Sequence, residues 1–240
     1  MKMPSFLPIS LAVALLLQIS FQALRPKTDA TMQPLADPPG EYALRLASLD
    51  EPEAVSRVMM LYLQAFDLQP GVIVPYRRLD YPEVVKWLQE SLDLDPSDPY
   101  PLFAACYLYG GVNDSARLRT MLDFIYRSFL ENPDQRWRWL AQGTLIAKYQ
   151  LHDLSLALRY SEALAKYATG KEVPHWVTQM SVFTLEELGR VKSAKILLGG
   201  LLASGKIKDA NERQFLSKAL KRMEKEDFKI PLQNGEDGLL

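Results

Sequence analysis

Cysteine is nearly missing from this chain. The single Cys106 excludes any intramolecular disulfide. It lies in Phe103-Ala104-Ala105-Cys106-Tyr107-Leu108, an apolar helical stretch, so a buried small hydrophobe is expected and not a reactive thiol. Histidine is almost as scarce. His152 and His175 are far apart, and neither stands in metal-ligand spacing with cysteine or carboxylate. His152 falls in a turn, where a solvated or capping role is expected, and His175 is expected to pack against Trp176. No sign of charge dominates: 28 basic and 29 acidic residues leave a net charge of −1. That excludes a global basic field for nucleic acid and gives no basis for strong binding to an anionic membrane surface. No stretch alternates with period two, so almost no sheet is expected. Gly110-Gly111 and Gly199-Gly200 lack the lysine spacing of a phosphate loop. The first pair reads as a helix stop and the second as a site of close helix contact. Asp93, Asp95 and Asp98 lack the glycine and closing glutamate of a calcium loop. No cofactor or metal is expected.

The N-terminus is rich where the rest is sparse. Lys2 precedes an apolar run that begins at Phe6 and ends at Leu24, before Arg25 and Lys27. At ~1.5 Å per residue the run spans roughly 28 Å, just enough for a bilayer core. An uncleaved signal-anchor is expected over 1–27, with a cleaved signal peptide or a buried helix of the fold as alternatives. A short tail ahead of a large body points to an extracytoplasmic body, which in a bacterium means a single-pass inner-membrane protein facing the periplasm. Residues 28–40 hold three prolines between Thr31 and Gly40 and read as an extended spacer.

From Glu41 the helical period takes over. Ala54, Val58, Leu61, Tyr62, Ala65 and Phe66 share one face, as do Val84, Leu88 and Leu92. Leu118, Met121, Leu122, Ile125, Tyr126 and Phe129 form a further stripe, and Leu216, Ala219, Leu220 and Met223 the last. Asp50 with Glu53, Asp80 with Glu83, and Asp209 with Glu212 have capping-box spacing. Pro52 and Pro82 fall in a first turn, where a missing N–H costs little. Second helices of successive pairs are expected to start near Asp80, Asp114, Asp153 and Arg190. Their spacings are 34, 39 and 37 residues (114 − 80, 153 − 114, 190 − 153).

The first spacing equals the tetratricopeptide unit of about 34 residues and the other two exceed it, a departure that makes any such array a degenerate one. Leu88 to Pro96 resembles the end of such a unit. Tyr149 to Ala157 and Leu185 to Ala194 resemble its middle, with Ala157 and Ala194 where paired helices approach closely. Val84 and Leu118 stand there in the other units and depart from the pattern. The chain also looks like uncharacterised bacterial membrane-anchored proteins with such helices, a likeness that implies no activity. The fold expected is all-α, a right-handed α-α superhelix (a TPR-like solenoid) over 41–225 preceded by one transmembrane or signal-anchor helix. A capping helix would close the array, followed by a mobile tail over 226–240.

Solenoids mostly bind, so the expected function is a non-catalytic, membrane-anchored scaffold or assembly factor at the cell envelope. Its partner would be a protein or peptide, itself membrane-bound in one version, and homo-oligomerisation is a further expectation. No nucleic-acid partner is expected. The alternative is an all-α enzyme or carbohydrate-binding protein with an acidic groove, for which Glu186, Glu187 and Asp123 are candidates. Two segments are candidate partner-binding elements. The proline-bounded connection Val72, Ile73, Val74, Tyr76, Arg77 and Arg78 must fold back onto the array or meet another protein. Arg136, Trp137 and Arg138 alternate basic and aromatic character, fit for stacked bases or an acidic peptide. Their structural alternative is a helix start with Trp139 buried and the arginines solvated.

Overall fold

Residues 6–24, 31–205 and 207–227 are described by a computed structural model. They form α1 (Phe6–Leu24), α2 (Glu41–Ser48), α3 (Pro52–Ala65), α4 (Tyr81–Leu94), α5 (Tyr100–Phe103), α6 (Ser115–Glu131), α7 (Pro133–Tyr149), α8 (Leu154–Tyr167), α9 (Trp176–Glu187), α10 (Val191–Ala203) and α11 (Ala210–Asp227). The fold is all-α, as the helical periodicity predicts. A two-stranded hairpin, β1 (Leu68–Gln69) and β2 (Val72–Ile73), interrupts it between α3 and α4.

Each helix of the body packs chiefly on its neighbours in sequence, α2 on α3, α3 on α4, and so on from α6 through α11. The four predicted second-helix starts are met: Asp80, Asp114, Asp153 and Arg190 are the N-caps of α4, α6, α8 and α10. Four residues into each lies a fully enclosed side chain, Val84, Leu118, Ala157 or Ala194. Four further on, Leu88, Leu122, Ser161 and Leu198 are equally buried. Side-chain bonds also recur at this interval. Ser56 meets Ser91 at a separation of 35, Arg119 meets Asp153 at 34, Asp134 accepts from Gly170 at 36, and Arg222 donates to Glu186 at 36. The buried residues fall into two clusters. One cluster runs from Leu35 to Val177, and a second joins Leu158 to the apolar faces of α9, α10 and α11. Leu216, Ala219 and Met223 of α11 are buried, as the last stripe predicts.

Several expectations are corrected. The capping-box spacing at Asp50 does not cap α3: Asp50 sits at φ 76 and Glu51 is the N-cap. Asp80 caps α4 without a side-chain bond, while Glu83 pairs with Lys86 at 2.8 Å. The aspartates that do accept an N–H are Asp114 from Arg117, Asp153 from Leu156 and Asp209 from Glu212. In α3 the predicted core stripe faces outward. Met59, Met60 and Leu63 are buried instead, with Ser56 bonded to Ser91, and Val58, Leu61 and Tyr62 are exposed. An apolar helix with two candidate faces is oriented by what its neighbours can bury. Gly199 and Gly200 have open space where a Cβ would stand, so no close contact requires them.

The proline-rich segment from Thr31 to Gly40 is extended, as expected, but it is no free spacer. Leu35 is buried, Trp87 donates its indole N–H to Ala36 O at 2.8 Å, and Lys86 meets Asp37 at 2.6 Å. Gln33 and Gln69 exchange two hydrogen bonds. Among the described residues no helix is long and apolar enough to cross a membrane. The tail expected over 226–240 begins inside α11, and its remainder lies outside the described residues.

Candidate partner-binding surface

The connection after α3 folds into a hairpin because Gln69-Pro70-Gly71-Val72 has turn chemistry. Proline presets φ at the second position and Gly71, at φ 79, supplies the left-handed third. Val74 donates its N–H to Asp67 O at 2.7 Å and is buried at 1% exposure. Val72 and Tyr76 are half-buried against the core, where Tyr76 meets Tyr109 edge-on at 5.7 Å. Tyr81 donates its hydroxyl to Tyr109 O at 2.9 Å, and burial pushes its pKa up to about 12. Of the six residues singled out here, three therefore anchor the hairpin to its own body. Ile73 remains exposed at 75%, opposite Leu68 at 69%, and Arg77 and Arg78 are exposed in the 3₁₀ turn that follows.

The Arg136 to Trp139 segment is placed differently from the expectation. Arg136 is buried and donates to Ser128 O at 2.9 Å and to Glu131 at 2.7 Å. Trp137 is buried edge-on against Trp176, with the exposed Arg138 guanidinium over its ring at 5.2 Å. Trp139 is only half-buried. Position 136 lies one turn past the α7 start, where its guanidinium reaches back to a carbonyl in the last turn of α6, which has no partner within that helix. Only Arg138 of the three is presented to solvent.

A surface that sequence reasoning missed lies beside Trp139. Tyr100, Phe103 and Tyr107 stack along α5 and the π-helical turn Ala104–Leu108 that continues it, with ring centroids 5.8 and 5.0 Å apart. Phe103 then meets Trp139 of α7 edge-on at 6.4 Å. Phe103 and Tyr107 are 39% and 50% exposed. The signal was available in the i, i+3, i+7 spacing of Tyr100, Phe103 and Tyr107. What hid it is the π-turn, a widened segment that rotates Tyr107 relative to an α-helix and occurs often at functional sites. Gly110 makes this turn possible, because a Cβ there would lie 2.8 Å from the Ala105 carbonyl oxygen. Cys106 faces inward from the same turn, and burial pushes its thiol up to about 12.

Elsewhere the candidates disperse. Glu186 pairs with Arg222, Glu187 with Lys148, and Asp123 is exposed, so these carboxylates do not converge. A groove of about 530 Å³ along the starts of α4 and α6 carries Asp80 and Asp114 together with Arg78 and Arg117, and it opens broadly to solvent. Asp114 is engaged there by the Arg117 N–H and guanidinium, which hold its carboxyl below the usual carboxylate range. A narrower cavity of about 320 Å³ lies between the end of α8 and α10, lined by Ala168, Leu201 and Ile207 with His175, Thr178 and Gln179. His175 is exposed at the rim of this cavity. His152 is exposed in the α7–α8 turn at φ 52. No group of three or more metal-ligating side chains occurs among the described residues. No family model, curated protein or solved structure matches the chain.

Proposed function

We propose that this protein is a non-catalytic scaffold or assembly factor at the bacterial cell envelope. A TPR-like α-α solenoid would bind a protein or peptide partner, and α1 would hold it to the inner membrane with its body on the periplasmic side. The observation that carries this reading is the recurrence of contacts at 33–39 residues between successive helix pairs. A chain built from such steps leaves a long surface uncovered along its first helices, which is the geometry solenoids use for binding. On that surface Tyr100, Phe103, Tyr107 and Trp139 form a row of aromatics on two neighbouring units. Aromatic anchors of this kind dominate the energetics of protein interfaces. Arg138, next to Trp139 in sequence, is exposed with its guanidinium over the Trp137 ring and suits an acidic or carbonyl-rich peptide. The apolar run ending at Leu24, exposed along its described length, supports anchoring, which would raise the effective concentration for a membrane-bound partner.

The test is site-specific photocrosslinking in cells of the full chain, with the crosslinker at Tyr107 and a control at Ile196 on α10. The expected result is one dominant adduct from Tyr107 only, lost when Phe103→Asp is combined with Arg138→Glu. Equal adduct patterns from both positions would overturn the assignment of this face.

A further inference from the structure

We infer that the cavity between the end of α8 and α10 is a binding site for a neutral small molecule with an apolar body and one N–H or O–H donor. Three observations carry this assignment. The first is a preset shape. The loop on one side is fastened by Asp134, which accepts from the N–H groups of Thr169 and Gly170 at 2.9 and 2.7 Å. The connection on the other side is fastened at Ile207, which is buried and whose carbonyl accepts from Arg213 at 2.7 Å. The space between them, about 320 Å³, falls in the range of small-molecule sites, roughly 300–1,000 Å³. The second is the lack of charge. Among the described lining residues there is no acid, lysine or arginine, and His175 stands exposed at the rim. An ionised occupant would lose its water against Ala168, Val173, Leu201 and Ile207 without gaining a counter-ion, so the occupant is neutral. The third is the polarity of what the wall leaves open. Gln179 is 5% exposed and lines the cavity from α9. Its Nε2 donates to Glu212 of α11, which fixes the planar amide and turns Oε1 away from that carboxylate. No described residue donates to Oε1, and the oxygen is not sealed in the core. For a side chain so deeply buried, the remaining opening is the cavity it lines. Thr178 on the same wall donates its hydroxyl to His175 O at 2.8 Å, which leaves only lone pairs to offer. Gln179 and Thr178 thus both present acceptors, and the occupant must bring the donor.

The cavity also lies on a seam. Ala168 and Val173 pack in the first buried cluster, Leu201 and Ile207 in the second. An occupant between them adds contacts across the seam, so binding tightens α10 and α11 on the rest of the body.

The experiment uses the full chain with labelled leucine, valine and isoleucine methyl groups, followed by NMR. It is titrated with indole, an apolar ring with one N–H donor, and with N-methylindole, which lacks the donor. Saturable shifts are expected at Leu201 and Ile207 with indole, and none at Ile196, which is exposed on α10. N-methylindole should bind about tenfold more weakly. Gln179→Met keeps the length of the side chain and removes the acceptor, so it should erase that preference. Leu201→Trp fills the space from α10 and should abolish the Ile207 shift in a chain whose other methyl signals stay dispersed. Amide exchange in α10 and α11 should slow at saturating indole. Saturation by neither compound overturns the site, and equal shifts at Ile196 do the same by identifying partition onto apolar surface. Equal affinity for the two compounds, or a preference that survives Gln179→Met, overturns the donor class and the role of Gln179. Unchanged amide exchange at saturation overturns the tightening across the seam.

Discussion

Gly110 is the residue on which the π-turn depends. Its hypothetical Cβ would stand 2.8 Å from the backbone oxygen of Ala105, and a backbone atom inside a helix cannot swing aside. Gly110→Ala should cost about 1–3 kcal/mol, the usual range for overpacking, read as a lower midpoint in thermal unfolding. Gly199 and Gly200 are the opposite case. Both lie in α10 with open space around them, so alanine at each should add about 0.5–1 kcal/mol by raising helix propensity. His152 occupies the left-handed region at φ 52, in the turn position that Gly189 fills at φ 73 one unit later. His152→Gly should be neutral or stabilising, by up to about 1 kcal/mol, in denaturant titration. The turn itself was legible from Tyr149 to Ala157, but the backbone angle was not, because histidine carries no mark of it. Cys106 was legible as a buried residue, and its thiol should resist alkylation at pH 8 until the chain unfolds.

Helix starts were the most readable elements, because caps are local chemistry. Asp114 and Asp153 accept the N–H of Arg117 and Leu156, and these bonds hold both carboxyls below their usual pKa, with Arg119 adding to the effect on Asp153. A depressed folded-state pKa contributes stability above the unfolded value, near 3.9, and that contribution is lost as pH falls through the folded value. Stability should therefore drop below about pH 4. Asp114→Asn with Asp153→Asn keeps an acceptor at each cap and removes the titration, so the midpoint should vary less with pH in that acid range. The capping phrase at Asp50 was misleading for a related reason. Leu49 and Asp50 both adopt positive φ, which carries the chain past the position from which Asp50 could cap. Helix faces were less readable than starts. In α3 the outward stripe is the more regular one, and only the partner α4, with Ser91 opposite Ser56, decides that the other face is buried. The hairpin was legible as a segment that cannot be helix, and half of the candidate site residues within it turned out to be its fastenings. The aromatic row escaped notice because the π-turn re-aims Tyr107 and because Trp139 joins from α7 only by packing, residues 103 and 139 being distant in sequence.

At the scale of the whole molecule, contacts reach little beyond neighbouring helices, and the buried residues fall into two clusters. Stability in such an array is close to a sum of local terms. Native-state hydrogen exchange should show α10 and α11 opening at a lower free energy than α4, α6 and α7, and uniform protection across them would contradict the division. The extended strip from Thr31 to Gly40 also sets how the body carries load. A pull arriving from α1 meets the Gln33–Gln69 bonds first, then the seat of Leu35, then the Ala36–Trp87 and Asp37–Lys86 contacts. These act in series along the strip and lead the force sideways into the hairpin and α4, so α2 is not peeled from its end. Tension applied at the N-terminal end of the strip is thereby taken up by the thick of the body.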